Sequence, residues 1–374
     1  MRIKLVRTKV NQLKCCQTKP PRRSKTVSQI RIVVIGAGTM GRRHIEYISA
    51  SEACQLAAIC DRDAGAAVLA AENGVPFFHD AIEALDLVAP DGAVIAAPTQ
   101  LHEELAMACI RRGVAPLVEK PITAELDEGH RLVDEATAAG VPILVGHHRR
   151  YHPRIRRLWE LVQGGAIGPL IGVSLLWAVK KPDGYYDIVW RTRAGGGPVL
   201  INLIHEIDTL RYICGEITSV YAASSSATRG FEVEDTAAIT LTFEGGIVGS
   251  IFLSDATPSP WSYELTMFEN PSYAHVAENC AFFFGKEGSL AFPKMELWRY
   301  PSAVGAGWEH PLELDMYAPE DVDPLAEQLA HFCRVIQGEE APLVSGVEGL
   351  RTLAATQAVL TSGREGRPVD LPPV

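Results

Sequence analysis

The apolar residues between positions 31 and 145 fall into two alternating patterns. Short continuous apolar runs predict buried strands, and longer segments with apolar residues three and four positions apart predict amphipathic helices. Several helical segments stop at a glycine, as at Gly74, Gly113 and Gly140, which is typical of helix C-caps. Strands that alternate with helices predict a parallel sheet with helices on both faces. The predicted strands are Ile32–Ile35, Leu56–Cys60, Pro76–Phe78, Gly92–Ala96, Ala115–Glu119 and Pro142–Val145, and the predicted helices are Thr39–Ala50, Ala64–Asn73, Ala81–Leu87, Leu101–Arg112 and Glu125–Ala139.

The pattern changes after residue 150. A predicted helix, Arg154–Gln163, and a strand, Gly168–Ala178, precede a polar and aromatic loop, Lys180–Arg193, and a long apolar helix, Val199–Cys214. Period-two alternation then dominates, and it predicts a mostly antiparallel sheet with one covered face and one open face. The predicted strands here are Ser219–Ser226, Asp235–Phe243, Ile247–Ser254, Tyr263–Glu269, Ala281–Phe284, Ser289–Phe292 and Met295–Tyr300, and the closing helices are Pro324–Gln337 and Gly346–Ser362.

The glycine-rich turn after the first predicted strand carries most of the functional information. The segment Ile32–Gly41 reads IVVIGAGTMG, which is a strand, a turn and the start of a helix. In this context the three glycines permit a sharp turn, close approach of backbone N–H groups to a pyrophosphate, and tight helix–sheet packing. The unpaired N–H groups at the start of the helix attract anions. We therefore expect a Rossmann dinucleotide-binding domain whose pyrophosphate contacts are Gly36, Gly38, Thr39, Met40 and Gly41.

A carboxylate follows the second predicted strand. Leu56–Cys60 ends at Asp61, about 20 residues beyond Gly41, where an acidic side chain meets the adenosine ribose hydroxyls in this motif. The negative charge of Asp61 favours NAD, because it would repel a 2′-phosphate. Arg62 can stack on adenine or pair with that phosphate, so NADP remains an alternative.

Composition and charge exclude several classes of function. The chain has 374 residues, 47% of them hydrophobic, which is enough for two domains. Residues 1–29 carry nine Lys and Arg and no acid, so the net charge of −10 leaves −19 for the rest and argues against a nucleic-acid partner. No apolar run has the length of a membrane span. The eight cysteines are scattered without metal-ligand spacing, which predicts no metal site and favours a cytoplasmic protein.

The basic segment 1–29 has no apolar periodicity, and we expect it to be a disordered tail. A targeting segment and a short polyanion-binding arm are the alternatives, although the segment lacks the apolar core of a signal peptide.

Residues that follow the strands of a parallel sheet are the candidates for ligand contact. Ala97, Pro98 and Thr99 follow the fourth predicted strand, and His102 lies in the first turn of the next helix. We expect these residues at the cofactor edge, with an ordinary surface histidine as the alternative for His102.

Glu119 and Lys120 end the fifth predicted strand, and Pro121 follows them. Desolvation at the end of a buried strand lowers the pKa of a lysine and lets it act as an acid or a base. We therefore expect Lys120 beside the cofactor, with Glu119 pairing with a charge or touching the nicotinamide ribose.

These motifs together resemble the Gfo/Idh/MocA oxidoreductase family, which is named for glucose–fructose oxidoreductase and inositol dehydrogenase. The resemblance rests on the glycine turn, Asp61, the Pro98–His102 run and above all Glu119-Lys120-Pro121. It continues through the GxxRRxxP run of Gly146–Pro153 and extends over the chain from Arg31 onward.

The resemblance implies a Rossmann domain for residues 30–150. For residues 151–374 it implies a substrate-binding and oligomerisation domain with a large, mostly antiparallel open-faced sheet, against which the C-terminal helices pack back. It also implies hydride transfer between C4 of the nicotinamide and a carbinol or carbonyl carbon. The implied assembly is a homo-oligomer, a dimer or a tetramer, joined through the open sheet.

The loop Lys180–Arg193 is too rich in hydrogen-bond donors and rings for a simple linker, and we expect it to form a wall of the substrate site. A generic surface loop is the alternative. In the related family this loop often brings a Trp-Arg pair against the nicotinamide, which implies cofactor contacts for Trp190 and Arg191. Further substrate candidates are His148, Arg149 and Tyr186.

Three polar residues at helical spacing, Asn202, His205 and Asp208, lie near one face of the long apolar helix. In the related family the corresponding histidine, and an aspartate four residues before it, meet the substrate beside the lysine. His205 and Asp208 match that pattern, whereas Ile201 occupies the position of the upstream aspartate. The isoleucine side chain has no titratable group, and an amide does not titrate. We therefore assign acid–base chemistry to Lys120 and His205, with Asn202 as an orienting group.

The sequence therefore predicts an NAD(P)-dependent oxidoreductase that acts on a sugar, a sugar acid or a cyclitol. A dehydrogenase of a cyclic dihydrodiol or another hydroxy carboxylic acid is one alternative. A sensor that binds NAD without turnover is another, since Ile201 replaces an acidic residue.

Overall fold

The structure is a computed structural model that describes residues 4–5, 29–301, 305–317 and 322–372. The strands in chain order are β1 Lys4–Leu5, β2 Ile30–Ile35, β3 Cys54–Cys60, β4 Phe77–Phe78, β5 Gly92–Ile95, β6 Ala115–Val118, β7 Leu144–Val145, β8 Leu170–Ala178, β9 Ile217–Ser225, β10 Thr236–Phe243, β11 Val248–Ser254, β12 Ala281–Gly285, β13 Ser289–Phe292, β14 Glu296–Arg299, β15 Glu313–Met316 and β16 Val369–Asp370. The helices are α1 Thr39–Ala50, α2 Ala67–Glu72, α3 Ala81–Val88, α4 His102–Ile110, α5 Leu126–Ala139, α6 Pro153–Gln163, α7 Ile204–Cys214, α8 Tyr263–Thr266, α9 Pro324–Ile336 and α10 Gly346–Glu365.

The first half of the chain forms a six-stranded parallel sheet with the strand order β4-β3-β2-β5-β6-β7. Ile32, Val33 and Val34 of the central strand β2 are completely buried, which explains why this part of the strand is apolar. The strand order changes direction between β2 and β5, and this opens a crevice at their carboxyl ends. The predicted Rossmann fold is confirmed.

The second half forms a ten-stranded sheet with the order β1-β15-β14-β13-β12-β8-β11-β10-β9-β16. Most neighbours are antiparallel, but β8 and β11 pair in parallel, as do β1 and β15, so the sheet is mixed. Its inner face, with Val173, Leu175 and Trp177, packs against α6, α7 and α10. On the other face Tyr221 and Phe252 are more than two-fifths exposed, at 44% and 42%. The covered and open faces agree with the predicted fold.

Several local predictions differ from the structure. The predicted strand Tyr263–Glu269 is wrong, because Ser262 caps a short helix there by accepting a hydrogen bond from Leu265 N at 3.3 Å. Val199–Leu203, predicted as ordinary helix, is a π-helical turn before α7. The strands β15 and β16 were not predicted, because they are short and polar and depend on pairing with distant strands.

The prediction of a disordered basic tail lies almost wholly outside the described residues. Lys4 and Leu5 are described, and their backbone pairs in parallel with Asp315 and Met316. Within the described stretches, no helix combines the length and the apolar character needed to cross a bilayer. In those same stretches, no His, Cys, Asp and Glu side chains group in a way that could hold a metal ion.

Candidate active site

The glycine turn between β2 and α1 is shaped for a close ligand. Gly36 has a φ of 95°, and a Cβ there would lie 2.6 Å from the carbonyl carbon of Ala96. A Cβ on Gly41 would lie 1.8 Å from Gly36 O, so only glycine allows α1 to pack this close. Gly38 has open space around its Cβ position, and no side chain caps the N-terminus of α1 that follows. The turn therefore fits a pyrophosphate held by the backbone.

Asp61 lies beside this turn at the end of β3. Its Oδ2 accepts a hydrogen bond from Ala37 N at 2.6 Å, and its Oδ1 accepts one from Asp63 N at 2.8 Å. The carboxylate is thus fixed at one edge of a cavity of about 260 Å³ that Arg62, Ala97 and Pro98 also line. Gly36 of the glycine turn also lines this cavity. The adenosine half of a dinucleotide would lie in it, beside Asp61.

His102 lies beneath this edge and is not a surface residue. Its ring is 1% exposed, with Nδ1 2.8 Å from Pro121 O and Nε2 3.0 Å from Ala97 O. One imidazole therefore joins the two loops that follow β5 and β6. This contact holds the shape of the crevice, and a direct contact of His102 with the cofactor stays a prediction.

Lys120 emerges from the carboxyl end of β6 and crosses to the second domain. Its Nζ donates a hydrogen bond to Ile201 O at 2.8 Å, in the π-helical turn that precedes α7. Burial lowers the pKa of Lys120 to about 8, although the negative charge of Glu119 opposes the shift. The ammonium therefore loses its proton near pH 8 and is mostly protonated at neutral pH.

Glu119 points away from solvent toward α1. Its Oε1 lies 2.8 Å from Nε2 of His44, and both side chains are buried. Burial raises the pKa of Glu119, but the hydrogen bond and charge of His44 outweigh this and hold the pKa at about 2. His44 was not predicted as part of the site, although its place on the buried face of α1 near Gly41 could have indicated it.

His205 lies one helical turn beyond Ile201, so its imidazole and the Lys120 ammonium belong to one site. Burial, together with the positive charges of Lys120 and Arg149, lowers the pKa of His205 well below its usual value, so the ring is neutral at neutral pH. Its ring centroid lies 5.5 Å from that of His148 and 6.1 Å from that of His147.

His147 and His148 approach His205 from the segment between the domains. His147 is buried, neither of its ring nitrogens has a partner among the described residues, and burial lowers its pKa to about 4. His148 places Nε2 3.2 Å from Glu269 Oε1. His148 was predicted to contact the substrate, and His147 was not. For two adjacent histidines, the sequence alone does not indicate which ring faces the site.

Arg149 was predicted to contact the substrate, but the structure gives that role no support. Its guanidinium pairs with Glu206 and, at 2.9 Å, with Glu264, and it stacks 3.6 Å above the Tyr263 ring. The side chain is 6% exposed, so its donors are committed inside the protein.

Asp208 likewise lies behind the site. Its carboxylate accepts hydrogen bonds from Arg150 Nε at 2.9 Å and Nη2 at 2.7 Å, and from Thr352 Oγ1 at 3.1 Å. At 1% exposure it has no access to a substrate, so its predicted contact is not supported.

The loop 180–193 is held by contacts among its own side chains and with Asp255. Tyr186 donates from its hydroxyl to Asp255 Oδ2 at 2.6 Å, and the Arg191 guanidinium lies 3.9 Å from the centroid of the Tyr185 ring. Trp190 is 54% exposed and lines, together with Lys120, a cavity of about 720 Å³. Trp190 and Lys120 thus face one cavity, and a cofactor contact of Trp190 stays a prediction, whereas the Tyr186 hydroxyl is engaged by Asp255.

Lys181 is a residue of this site that the sequence did not single out. Its Nζ donates to Asn202 Oδ1 at 2.8 Å, so the predicted orienting amide holds a lysine. Its position three residues after the end of β8 is the signal that could have indicated it.

Two family models match the chain. The one described as an oxidoreductase family with an NAD-binding Rossmann fold matches residues 30–147, and the GFO/IDH/MocA C-terminal domain matches residues 155–291. D-apiose dehydrogenase of Paraburkholderia graminis is 25% identical over 92% of this chain and 91% of its own. Myo-inositol 2-dehydrogenase of Thermotoga maritima is 26% identical over 91% of this chain and 98% of its own.

A solved structure gives the same result for the fold. The WlbA dehydrogenase from Bordetella pertussis, in complex with NADH and UDP-GlcNAcA, matches with a TM-score of 0.74 at 25% identity, over 92% of this chain and 100% of that chain. Because the two family models together span more than half of the chain, the protein belongs to the Gfo/Idh/MocA family of NAD(P)-dependent oxidoreductases.

Proposed function

We propose that this protein transfers a hydride between a nicotinamide dinucleotide and the CH–OH or carbonyl carbon of a small polyhydroxylated substrate, such as a sugar, sugar acid or cyclitol. The observation that carries the proposal is the hydrogen bond from Lys120 to Ile201 O, which brings a titratable ammonium to the turn beside His205. The relatives support the substrate class, since two of them are named for apiose and inositol.

The residues of the site have separable roles. Bound nicotinamide supplies the carbon that accepts or gives the hydride. Lys120 takes the hydroxyl proton during oxidation and returns it during reduction. Neutral His205 hydrogen-bonds the same oxygen, and the carbonyl of Ile201 holds the Lys120 ammonium in place. The loop 180–193 excludes water from the reacting atoms.

Turnover is the direct test. Purified protein is incubated with NAD or NADP and a panel of sugars, sugar acids and cyclitols, and absorbance of the reduced cofactor is followed. We expect reduction of the cofactor with at least one class of polyol. Binding of NADH without turnover across the whole panel would instead support a non-catalytic sensor.

The rate should depend on pH through Lys120. Oxidation needs the unprotonated amine, so kcat/KM for oxidation should rise with pH and level off above about 8. Reduction needs the ammonium, so its kcat/KM should fall above the same pH. If kcat/KM changed instead at a single pKa near 6 in both directions, the proton transfer would belong to a histidine. That result would contradict the role of Lys120.

We propose NAD as the preferred cofactor because of Asp61. Replacing Asp61 with alanine removes the ribose acceptor and the charge that repels a 2′-phosphate, so NAD affinity should fall about 10- to 100-fold relative to NADP. Fluorescence titration with NADH and NADPH measures the ratio. Asp63→Ala is the matched control, since Asp63 caps only the next turn by accepting from Gly65 N. An unchanged ratio would remove Asp61 from the adenosine site.

We also propose that the enzyme works in the cytoplasm.

We propose that the open sheet face joins copies of this chain into a dimer or a tetramer. Exposed aromatic side chains among small and polar ones fit a self-complementary contact. Tyr221→Lys combined with Phe252→Lys should give a monomer in light-scattering chromatography. Val68→Lys, at a more exposed apolar position on α2, should leave the oligomer unchanged. A monomeric wild type would contradict the proposal.

A further inference from the structure

Lys181 places a second ammonium at the turn that holds Lys120. Its side chain is 11% exposed, and its backbone N donates to Asp255 O at 3.0 Å, which fixes the residue beside the end of β11. Its Nζ bonds Oδ1 of Asn202, the residue next to Ile201. Two lysines from different domains therefore hold adjacent residues of one π-helical turn.

The acidic groups around Lys181 are committed to other partners. Asp255 Oδ2 lies 3.6 Å from Nζ, which is longer than a hydrogen bond. The same carboxylate accepts from the Tyr186 hydroxyl at 2.6 Å and from Arg229 Nε at 3.0 Å. Of the three N–H groups of the ammonium, one is directed at Asn202. A second faces Asp255 at ion-pair distance, and the third has no hydrogen-bond partner among the described residues.

Glu264 does not neutralise the two lysines either. Glu264 is a carboxylate near both lysines. Its oxygens, however, accept hydrogen bonds from Arg149 and from Trp177 Nε1, each at 2.9 Å. The rings of Trp177 and Tyr185 lie 5.7 and 4.7 Å from Lys181 Nζ and shield it from bulk water.

We propose that Lys181, with the amide of Asn202, binds a carboxylate of the substrate, so that the preferred substrates are polyhydroxy acids rather than neutral sugars. This rests on the proposed function and narrows it. A substrate carboxylate supplies an acceptor for the third N–H group of the Lys181 ammonium, and charge-assisted hydrogen bonds are strong in a partly buried site. It also fixes which carbon faces Lys120, because the acid group and the reacting hydroxyl are held by neighbouring residues of one turn.

The test compares matched acids and neutral sugars, namely D-glucuronate with D-glucose and D-galacturonate with D-galactose. Wild type should favour the acid in kcat/KM in at least one pair. Lys181→Met should lower kcat/KM for that acid about 10- to 100-fold, mainly through KM, and should leave the neutral sugar within about threefold. Lys286→Met is the matched control, because Lys286 is an exposed lysine on the turn between β12 and β13, and it should change neither substrate.

Other outcomes overturn the proposal. A wild type that favours the neutral sugar in both pairs excludes a carboxylate subsite, and an equal loss for acid and sugar in Lys181→Met assigns Lys181 a structural role. Lys181→Arg keeps the charge and should retain most of the preference, while NADH titration verifies that each variant is folded. If no compound is turned over, calorimetric binding of the two acids to the NADH complex decides. If the wild-type NADH complex binds one of the acids and the Lys181→Met complex does not, the carboxylate subsite is supported although the proposed function has failed. If the wild-type complex binds neither acid, the subsite is overturned.

Discussion

Replacing Lys120 with methionine is expected to lower kcat/KM by about 10²- to 10⁴-fold while NADH binding is retained. Methionine keeps an apolar stem of similar length but removes the group that exchanges the proton with the substrate oxygen. It also removes the hydrogen bond to Ile201 O. Steady-state kinetics in both directions, together with fluorescence titration of NADH, separate loss of chemistry from loss of the cofactor site.

Lys120→Arg distinguishes proton transfer from positioning. Arginine keeps a positive charge and can donate to Ile201 O, but it does not give up its proton at any accessible pH. We therefore expect this variant to be nearly as inactive in oxidation as the methionine variant. Substantial activity in Lys120→Arg would show that the charge suffices, and unchanged kcat/KM in Lys120→Met would remove Lys120 from catalysis.

The part of the site that the sequence predicted is the part whose signals are local. Within one βα turn, Gly36 is required by its φ of 95° and Gly41 by its contact with Gly36 O, so a local motif indicates the shape of the turn. The place of Lys120 follows from the same logic, because the carboxyl end of a parallel strand must face the crevice. The first domain could thus be predicted almost element by element.

The part that could not be predicted depends on partners far away in the chain. Arg149 is adjacent to His148, yet it is held by Glu206 and Glu264, which lie 57 and 115 residues further on. A donor-rich segment predicts hydrogen bonds but does not tell whether a substrate or a buried acid accepts them. The same limit explains why Tyr186 was expected to contact the substrate and is instead engaged by Asp255.

Ile201 shows how a backbone group can compensate for a missing side chain. The sequence has no acidic residue at this position, which is why a protein without turnover is an alternative interpretation. In the structure, the π-helical turn leaves the carbonyl of Ile201 as the acceptor for Lys120. Burial is the main cause of the lowered pKa of Lys120, about 8, and a neutral acceptor opposes that shift less than a carboxylate would.

Asp208→Asn is expected to destabilise the protein by about 3–5 kcal/mol, the cost of leaving a buried charge without its partner. Asp208 is 1% exposed and accepts two hydrogen bonds from the equally buried Arg150. The asparagine side chain has one acceptor oxygen and no charge, so it can replace only one of these two hydrogen bonds. The buried Arg150 guanidinium then keeps a single acidic partner among the described residues, Glu348, which is 2.9 Å away and partly exposed. Urea unfolding followed by circular dichroism at pH 7, with and without NADH, measures the loss.

Asp86→Asn provides the matched control for this change. Asp86 also accepts two hydrogen bonds from one arginine, Arg112, at 2.7 and 3.1 Å, but its side chain is 56% exposed. Because solvent screens exposed pairs, this variant should unfold at nearly the wild-type urea concentration. A substrate-binding Asp208 would give the opposite result, with wild-type stability and a raised KM. That outcome would return Asp208 to the substrate site and contradict its role as the buried partner of Arg150.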